Sequence, residues 1–173
     1  MTPFEEGGVL GELTAQFPRT GRVEWIGVRG ARKAPVSVVE SAYAEVGAGL
    51  QGDHYKRDGK RQVTLIQAES LPVIASFLGM DSDAVSPETL RRNLVVSRIN
   101  LLALIGWSFR IGDVILQGMA TCPPCSRMEE ALGVGAYNAM RGHGGIVAKV
   151  IQSGWIHQGA FLQAGSPSQK PGG

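Results

Sequence analysis

The chain reads as a mostly β domain whose strands close, fully or partly, into an antiparallel barrel with a few short helices. Three observations carry that reading. Short apolar runs, seven or more of them, recur along the 173 residues, each ended by turn residues. Most of the 24 glycines sit between such runs, which favours short strands and turns over long helices. The runs are not separated by regular helical segments, as a doubly wound parallel sheet would require.

Residues 1–21 form a loose lead-in, with Gly7-Gly8 and Pro18 breaking any pattern. Arg22 to Arg29, RVEWIGVR, puts Val23, Trp25 and Gly27 on one face and Ile26 and Val28 on the other. That suits a strand covered on both sides. Gly30 to Pro35 is a basic turn, and Val36 to Val46 is a second strand. The loop GAGLQGDHYKRDGKR follows, and QVTLIQ at 62–67 has the composition of a strand. Ala68 to Leu78 has helical apolar spacing, with Pro72 near its first turn. Ser86-Pro87-Glu88 is a cap, a proline and an acid, the start of a short helix that delivers Arg91, Arg92 and Asn93 to the strand Leu94–Ser97. Trp107–Ile111 and Val114–Met119 make a hairpin about Gly112-Asp113. Ile146–Gln152 and Trp155–Phe161 read as a last hairpin about Ser153-Gly154. The domain therefore spans 22–164, and residues 165–173 form a flexible, solvated tail. Neither an internal repeat nor a domain-scale linker is visible.

Composition narrows the function classes. A chain with 43% hydrophobic and 18% charged residues has the balance of a globular domain. The net charge of +2 is too small to argue for nucleic acid or an anionic membrane as partner. Two cysteines do not make a secreted disulfide framework. The start MTPFEEGGVL lacks the regions of a signal peptide, and the run Ile99–Trp107 is too short to span a bilayer. The expected location is the cytoplasm.

The chemistry concentrates between Gly118 and Gly145, which holds both cysteines. Pro123-Pro124 stiffens the approach to Cys125, and Ser126 to Leu132 reads as a short helix. Cys125 is thus placed near a helix start with Arg127 beside it, both of which favour a thiolate. A thiolate attacks sulfur, carries sulfur or binds a soft metal; a buried structural cysteine is the plainer alternative. The CPPC spacing invites two further readings. A thioredoxin-like redox pair would need a preceding βαβ unit, which is missing. A structural zinc would need about four ligands, and Cys122, Cys125, His54 and His143 lack a second paired motif.

The order GLQGD, RQVTLIQAE, RRNLVV, L-x-G-x-x-F-x-I-G-D, PCSRMEEAL and RGHGGI resembles the MOSC family, the C-terminal domain of molybdenum cofactor sulfurases, which also occurs alone. The match runs from Arg22 to Leu162. The resemblance implies a β-barrel and a molybdopterin site in which one cysteine ligates molybdenum or carries sulfur as a persulfide. That role maps to Cys125, which follows proline and leads into the Ser-Arg-Met helix start, with Cys122 a spare or resolving thiol. Arg61, Arg91, Arg92, Arg127 and Arg141 are the candidates for the pterin phosphate, since guanidinium forks match phosphate oxygens. Asn93 matches the family's Arg-Asn pair, either fixing the pterin edge or capping a turn. His143, in Gly142-His143-Gly144-Gly145, is a proton donor or a partner of a carbonyl, and its loop an anion cradle or a tight connection. Asp53 holds its own loop. Cys125, Arg92, Asn93, Arg127 and His143 are expected to line one pocket. The implied activity is reduction of small N-hydroxylated compounds fed by an electron-donor protein, or sulfur transfer from a pyridoxal-phosphate cysteine desulfurase. The alternative class is a non-catalytic module that delivers cofactor or sulfur.

Overall fold

The computed structural model describes residues 8–168. In chain order its strands are β1 (Gly21–Val28), β2 (Ser37–Val38), β3 (Ser41–Glu45), β4 (Gly49–Leu50), β5 (Val63–Gln67), β6 (Leu94–Ser97), β7 (Trp107–Ile111), β8 (Val114–Thr121), β9 (Ile146–Gln152), β10 (Gly154–His157) and β11 (Phe161–Pro167). Among the described residues five short α-helices accompany them, α1 (Val9–Thr14), α2 (Ser70–Phe77), α3 (Pro87–Leu90), α4 (Arg127–Leu132) and α5 (Ala136–Met140), with one 3-10 turn at Leu101–Leu104.

Seven strands close a ring in the order β1-β6-β5-β9-β8-β7-β11, with β11 pairing back to β1. A ring with an odd number of strands cannot alternate direction all the way round, so one neighbouring pair must be parallel. That pair is β5 and β6, aligned Leu65 to Leu94. A parallel pair needs a long crossover. Here it carries α2 and α3, which pack with α4 and α5 on the outside of β5 and β6. The consequence is two cores. Leu65, Leu94, Val96, Phe109, Ile111 and Leu116 fill the barrel. Ile66 and Val95, on the opposite faces of the same two strands, meet Ile74, Leu90, Met128 and Met140 of the helices. The continuous apolar runs of β5 and β6 follow from burial on both faces.

Several expectations are corrected. A register shift between Val23 and Trp25 places a bulge in β1. An extra residue reverses the in–out parity, so Val23 joins Ile26 and Val28 inside the barrel while Trp25 packs outside against the helices. The expected strand Val36–Val46 is two strands: β2 pairs with β1, and β3 with β4 and β10 in a separate three-stranded sheet. The final hairpin does not form, because β8 and β5 already occupy both edges of β9, and β10 pairs with β3 instead. The domain also runs past its expected end at residue 164. Gly165 to Pro167 belong to β11, Pro167 lies opposite Trp107, and the Ser168 amide donates to the Gly106 carbonyl at 2.8 Å. At the other end, Val9–Thr14 of the lead-in is helical; residues 1–7 and 169–173 lie outside the described part. Among the described residues no helix is long and apolar enough to cross a membrane.

Candidate functional site

Where the crossover from β5 returns to the barrel, Ser86 caps α3 by accepting from the Thr89 amide at 3.3 Å. The helix stops after one turn at Arg91, whose φ of +57° is left-handed. That conformation costs a residue other than glycine roughly 1–2 kcal/mol. It is held because Arg91 Nη2 donates to the carbonyls of Arg32 at 2.8 Å and Ala34 at 3.0 Å. Arg91 thereby ties the basic turn after β1 to the end of the crossover. Asp53, in the loop after β4, fixes the same turn, since its Oδ1 accepts from the Arg29 amide at 2.9 Å.

Arg92 comes next and is only 6% exposed. Its Nε donates to the Gly144 carbonyl and its Nη1 to the Leu90 carbonyl, both at 3.0 Å, while Nη2 has no partner among the described residues. Asn93 is committed within the fold. Its Oδ1 accepts from the Thr64 amide and hydroxyl at 3.0 and 3.1 Å, and its Nδ2 donates to the Gly27 carbonyl at 3.1 Å. It locks β6 against β5 and β1, and so fixes where Arg92 starts.

These pieces enclose a cavity of about 310 Å³, whose walls include Arg29, Arg32, Arg61, Arg91, Arg92 and Arg127. Cys125 opens onto it and is exposed, a free thiol. Six guanidinium groups around one hollow repel one another. Burial first, then the charges of Arg91, Arg61 and Arg127, push Arg29 below the ordinary arginine value, against the pull of Asp53. Burial first, helped by Arg61, likewise lowers Arg92, while Cys122 and Cys125 act in the opposite direction. Of the four buried side-chain polar atoms without a partner among the described residues, three belong to this wall: His54 Nδ1, Arg91 Nε and Arg92 Nη2. Asp53 Oδ2 approaches His54 Nδ1 only to 3.8 Å, beyond hydrogen-bond reach. Buried guanidinium donors without a partner among the described residues, set amid crowded cations, suit an anion. A larger hollow of about 450 Å³ lies around Arg22 and His157, but there Arg22 is already paired with Glu24 at 3.2 Å and no thiol is present.

The structure therefore brings together Cys125, Arg61, Arg92, Asn93 and Arg127, and leaves His143 and Arg141 out. The His143 ring lies edge-on to Phe77 of α2 with centroids 5.6 Å apart, and its amide donates to the Met140 carbonyl at 2.8 Å. The reason is the loop around it. A Cβ on Gly144 would run into the Cys122 carbonyl oxygen, and one on Gly145 into that of Leu65. The Cys122 amide donates to the Gly145 carbonyl at 2.8 Å. The Gly-His-Gly-Gly segment is thus the tight connection into β9, with His143 turned towards α2. Arg141 and Cys122 line a second cavity, and Cys122 is buried. Arg29, Arg32, His54 and Tyr55 were absent from the expected set. The signal for the first two was the basic turn itself, but its direction depends on the distant Asp53 and Arg91.

A family model described as MOSC domain matches residues 28–163. The YuaD protein from Bacillus subtilis has a similar structure, with 18% identity, a TM-score of 0.75, and coverage of 87% of this chain and 99% of that one. YiiM from Escherichia coli superposes with a TM-score of 0.67 at 18% identity, covering 86% of this chain and 72% of its own. YiiM from Geobacillus stearothermophilus gives 0.68 at 15%, covering 84% and 75%. At such identities the likeness establishes the fold alone. No curated protein matches the sequence.

Proposed function

The chain belongs to the MOSC domain family, a domain related to the molybdenum cofactor, and from that premise we propose that the Cys125 cavity holds a molybdopterin with Cys125 as the molybdenum ligand. The observation that carries this is an exposed thiol opening onto the same cavity as six arginines. The donor set fits the group at both ends. Thiolate is a soft ligand suited to such a metal, and guanidinium forks suit the phosphate. Arg29, Arg61, Arg91 and Arg127 supply the charge for the phosphate, and Arg92 stands on the side of the thiols. Asn93 positions Arg92 and holds no ligand itself. When bound, the molybdenum supplies two-electron removal of an oxygen atom from small N-hydroxylated compounds, with electrons from a donor protein.

The exposure of Cys125 favours a second reading, sulfur carriage. The Cys125 thiolate attacks the outer sulfur of a persulfide on a pyridoxal-phosphate cysteine desulfurase. The donor's S–S bond breaks, its cysteine leaves as thiolate, and Cys125 retains the sulfur as a persulfide. A dithiol redox pair is disfavoured, because Cys122 and Cys125 face different cavities across two prolines.

The test is elemental analysis of protein from molybdenum-replete cells, with mass spectrometry of each thiol after incubation with a cysteine desulfurase and cysteine. Molybdenum should copurify with the wild type and with Cys122→Ser and be lost from Cys125→Ser. Absence of the metal together with one added sulfur on Cys125 would select the carrier reading. Equal molybdenum in wild type and Cys125→Ser would remove Cys125 from the site.

A further inference from the structure

Two residues singled out by the sequence, Cys122 and Arg141, have no part in the arginine cavity. They meet in a second one, of about 230 Å³, on the other side of the Cys122–Cys125 segment. Its character is different. The walls include Leu102, Pro123, Pro124 and Tyr137, with Thr121 and Cys122 beside them, and Arg141 is the one charged residue among the lining residues. Proline offers no amide donor, so two successive wall positions cannot serve a polar ligand through their backbone nitrogens. Gly142, Gly144 and Gly145 also belong to the lining; a Cβ on Gly142 would meet nothing, so its backbone is open to close approach, whereas those of Gly144 and Gly145 face the Cys122 and Leu65 carbonyls. Leu102 and Tyr137 are 44% and 42% exposed, large apolar side chains left at the edge of a hollow. Arg141 enters none of the three ion pairs among the described residues. The volume lies below the ~300–1,000 Å³ of drug-sized sites, which limits the occupant to about one ring or a short chain.

We propose that this second cavity binds a small amphiphilic carboxylate, its apolar body between Leu102, the two prolines and Tyr137, and its carboxylate at Arg141. Arg141, exposed at the mouth of the hollow, is the one cation of the lining, so charge complementarity favours an anionic occupant over a neutral one. The site is separate from the Cys125 cavity and does not depend on what that cavity holds. Cys122 belongs to the lining although it is buried, so its amide resonance reports on occupancy.

The probe is phenylacetate, with the neutral phenylacetamide and acetate as controls. In amide NMR of the intact chain, phenylacetate should shift Tyr137 and Gly142–Gly145 saturably, and acetate should do so only weakly. Arg141→Gln should raise the concentration needed about tenfold, the loss expected for one charge-assisted pair. Equal binding of phenylacetamide and phenylacetate would overturn the proposal. So would perturbation confined to Arg29–Arg32 and Asp53–Tyr55, or the absence of saturable shifts. Each of these results leaves the molybdenum content of the wild type, and hence the reading of Cys125, untouched.

Discussion

Arg92 shows how one side chain serves both fold and site. Two of its nitrogens satisfy the Gly144 and Leu90 carbonyls, and the third has no partner among the described residues. Lysine carries the charge but not the planar fork, and cannot meet both carbonyls from fixed directions. Arg92→Lys should therefore cost about 1–3 kcal/mol of stability, the price of leaving a buried acceptor unpaired, and should lower ligand retention more than Arg127→Lys does. Urea unfolding and molybdenum content of the two variants check this; equal losses in both would place Arg92 on a par with its more exposed neighbours. Cys125 differs in kind. It anchors no packing, and apart from its carbonyl accepting from the Met128 amide at 3.0 Å its side chain is free for chemistry. The six-residue α4 beyond it is too short to add a large dipole.

Among the elements, the parallel pair β5–β6 decides where the site lies, because its crossover ends in Arg91, Arg92 and Asn93. Glu69 braces the other end of that pair. Its Oε1 accepts from the Arg98 amide at 2.7 Å and its Oε2 from Gln67 Nε2 at 2.9 Å, and Arg98 needs the support because its φ is +73°. Partial burial works to raise the Glu69 carboxyl, but the hydrogen bonds from Gln67 and Arg98 outweigh it and hold the group below its ordinary value. A depressed carboxyl contributes stability above its unfolded pKa, and that stability is lost as pH falls through the folded one. The wild type should thus lose stability to urea below about pH 4 more steeply than Glu69→Gln; parallel pH profiles would refute the brace. The short strands were legible in the sequence because β5, β6 and β9 each hold a local apolar run and β7 alternates apolar with polar residues. Their partners were not. The bulge that turns Trp25 outward, the pairing of β10 with β3 and the reach of β11 to Pro167 all depend on which sheet edges distant segments leave open. Cys125 and Arg92 were legible through the order of motifs. The direction of His143 was not, since collisions with the distant Cys122 and Leu65 carbonyls set it.

At the scale of the whole molecule, net charge conceals the arrangement that matters. The chain carries +2 overall. Six arginines against Asp53 give the cavity a formal charge of +5, so all other residues together carry −3. Ring closure makes this separation possible, because the loops after β1, β4 and β8 and the crossover before β6 converge on one cavity. A field concentrated in a hollow attracts anions much more strongly than a small net charge would suggest. It is also screened: the Debye length falls from about 30 Å at 0.01 M salt to about 3 Å at 1 M. Affinity of the cofactor-free protein for inorganic pyrophosphate, chosen as a bare anionic probe, should therefore drop by about tenfold or more between 0.02 and 0.5 M sodium chloride. Arg29→Gln and Arg127→Gln should each weaken binding at low salt and flatten that dependence, because each removes one of the converging charges. Calorimetric titration measures both. An affinity indifferent to salt, or unchanged in both variants, would mean that the arginines do not act on one ligand.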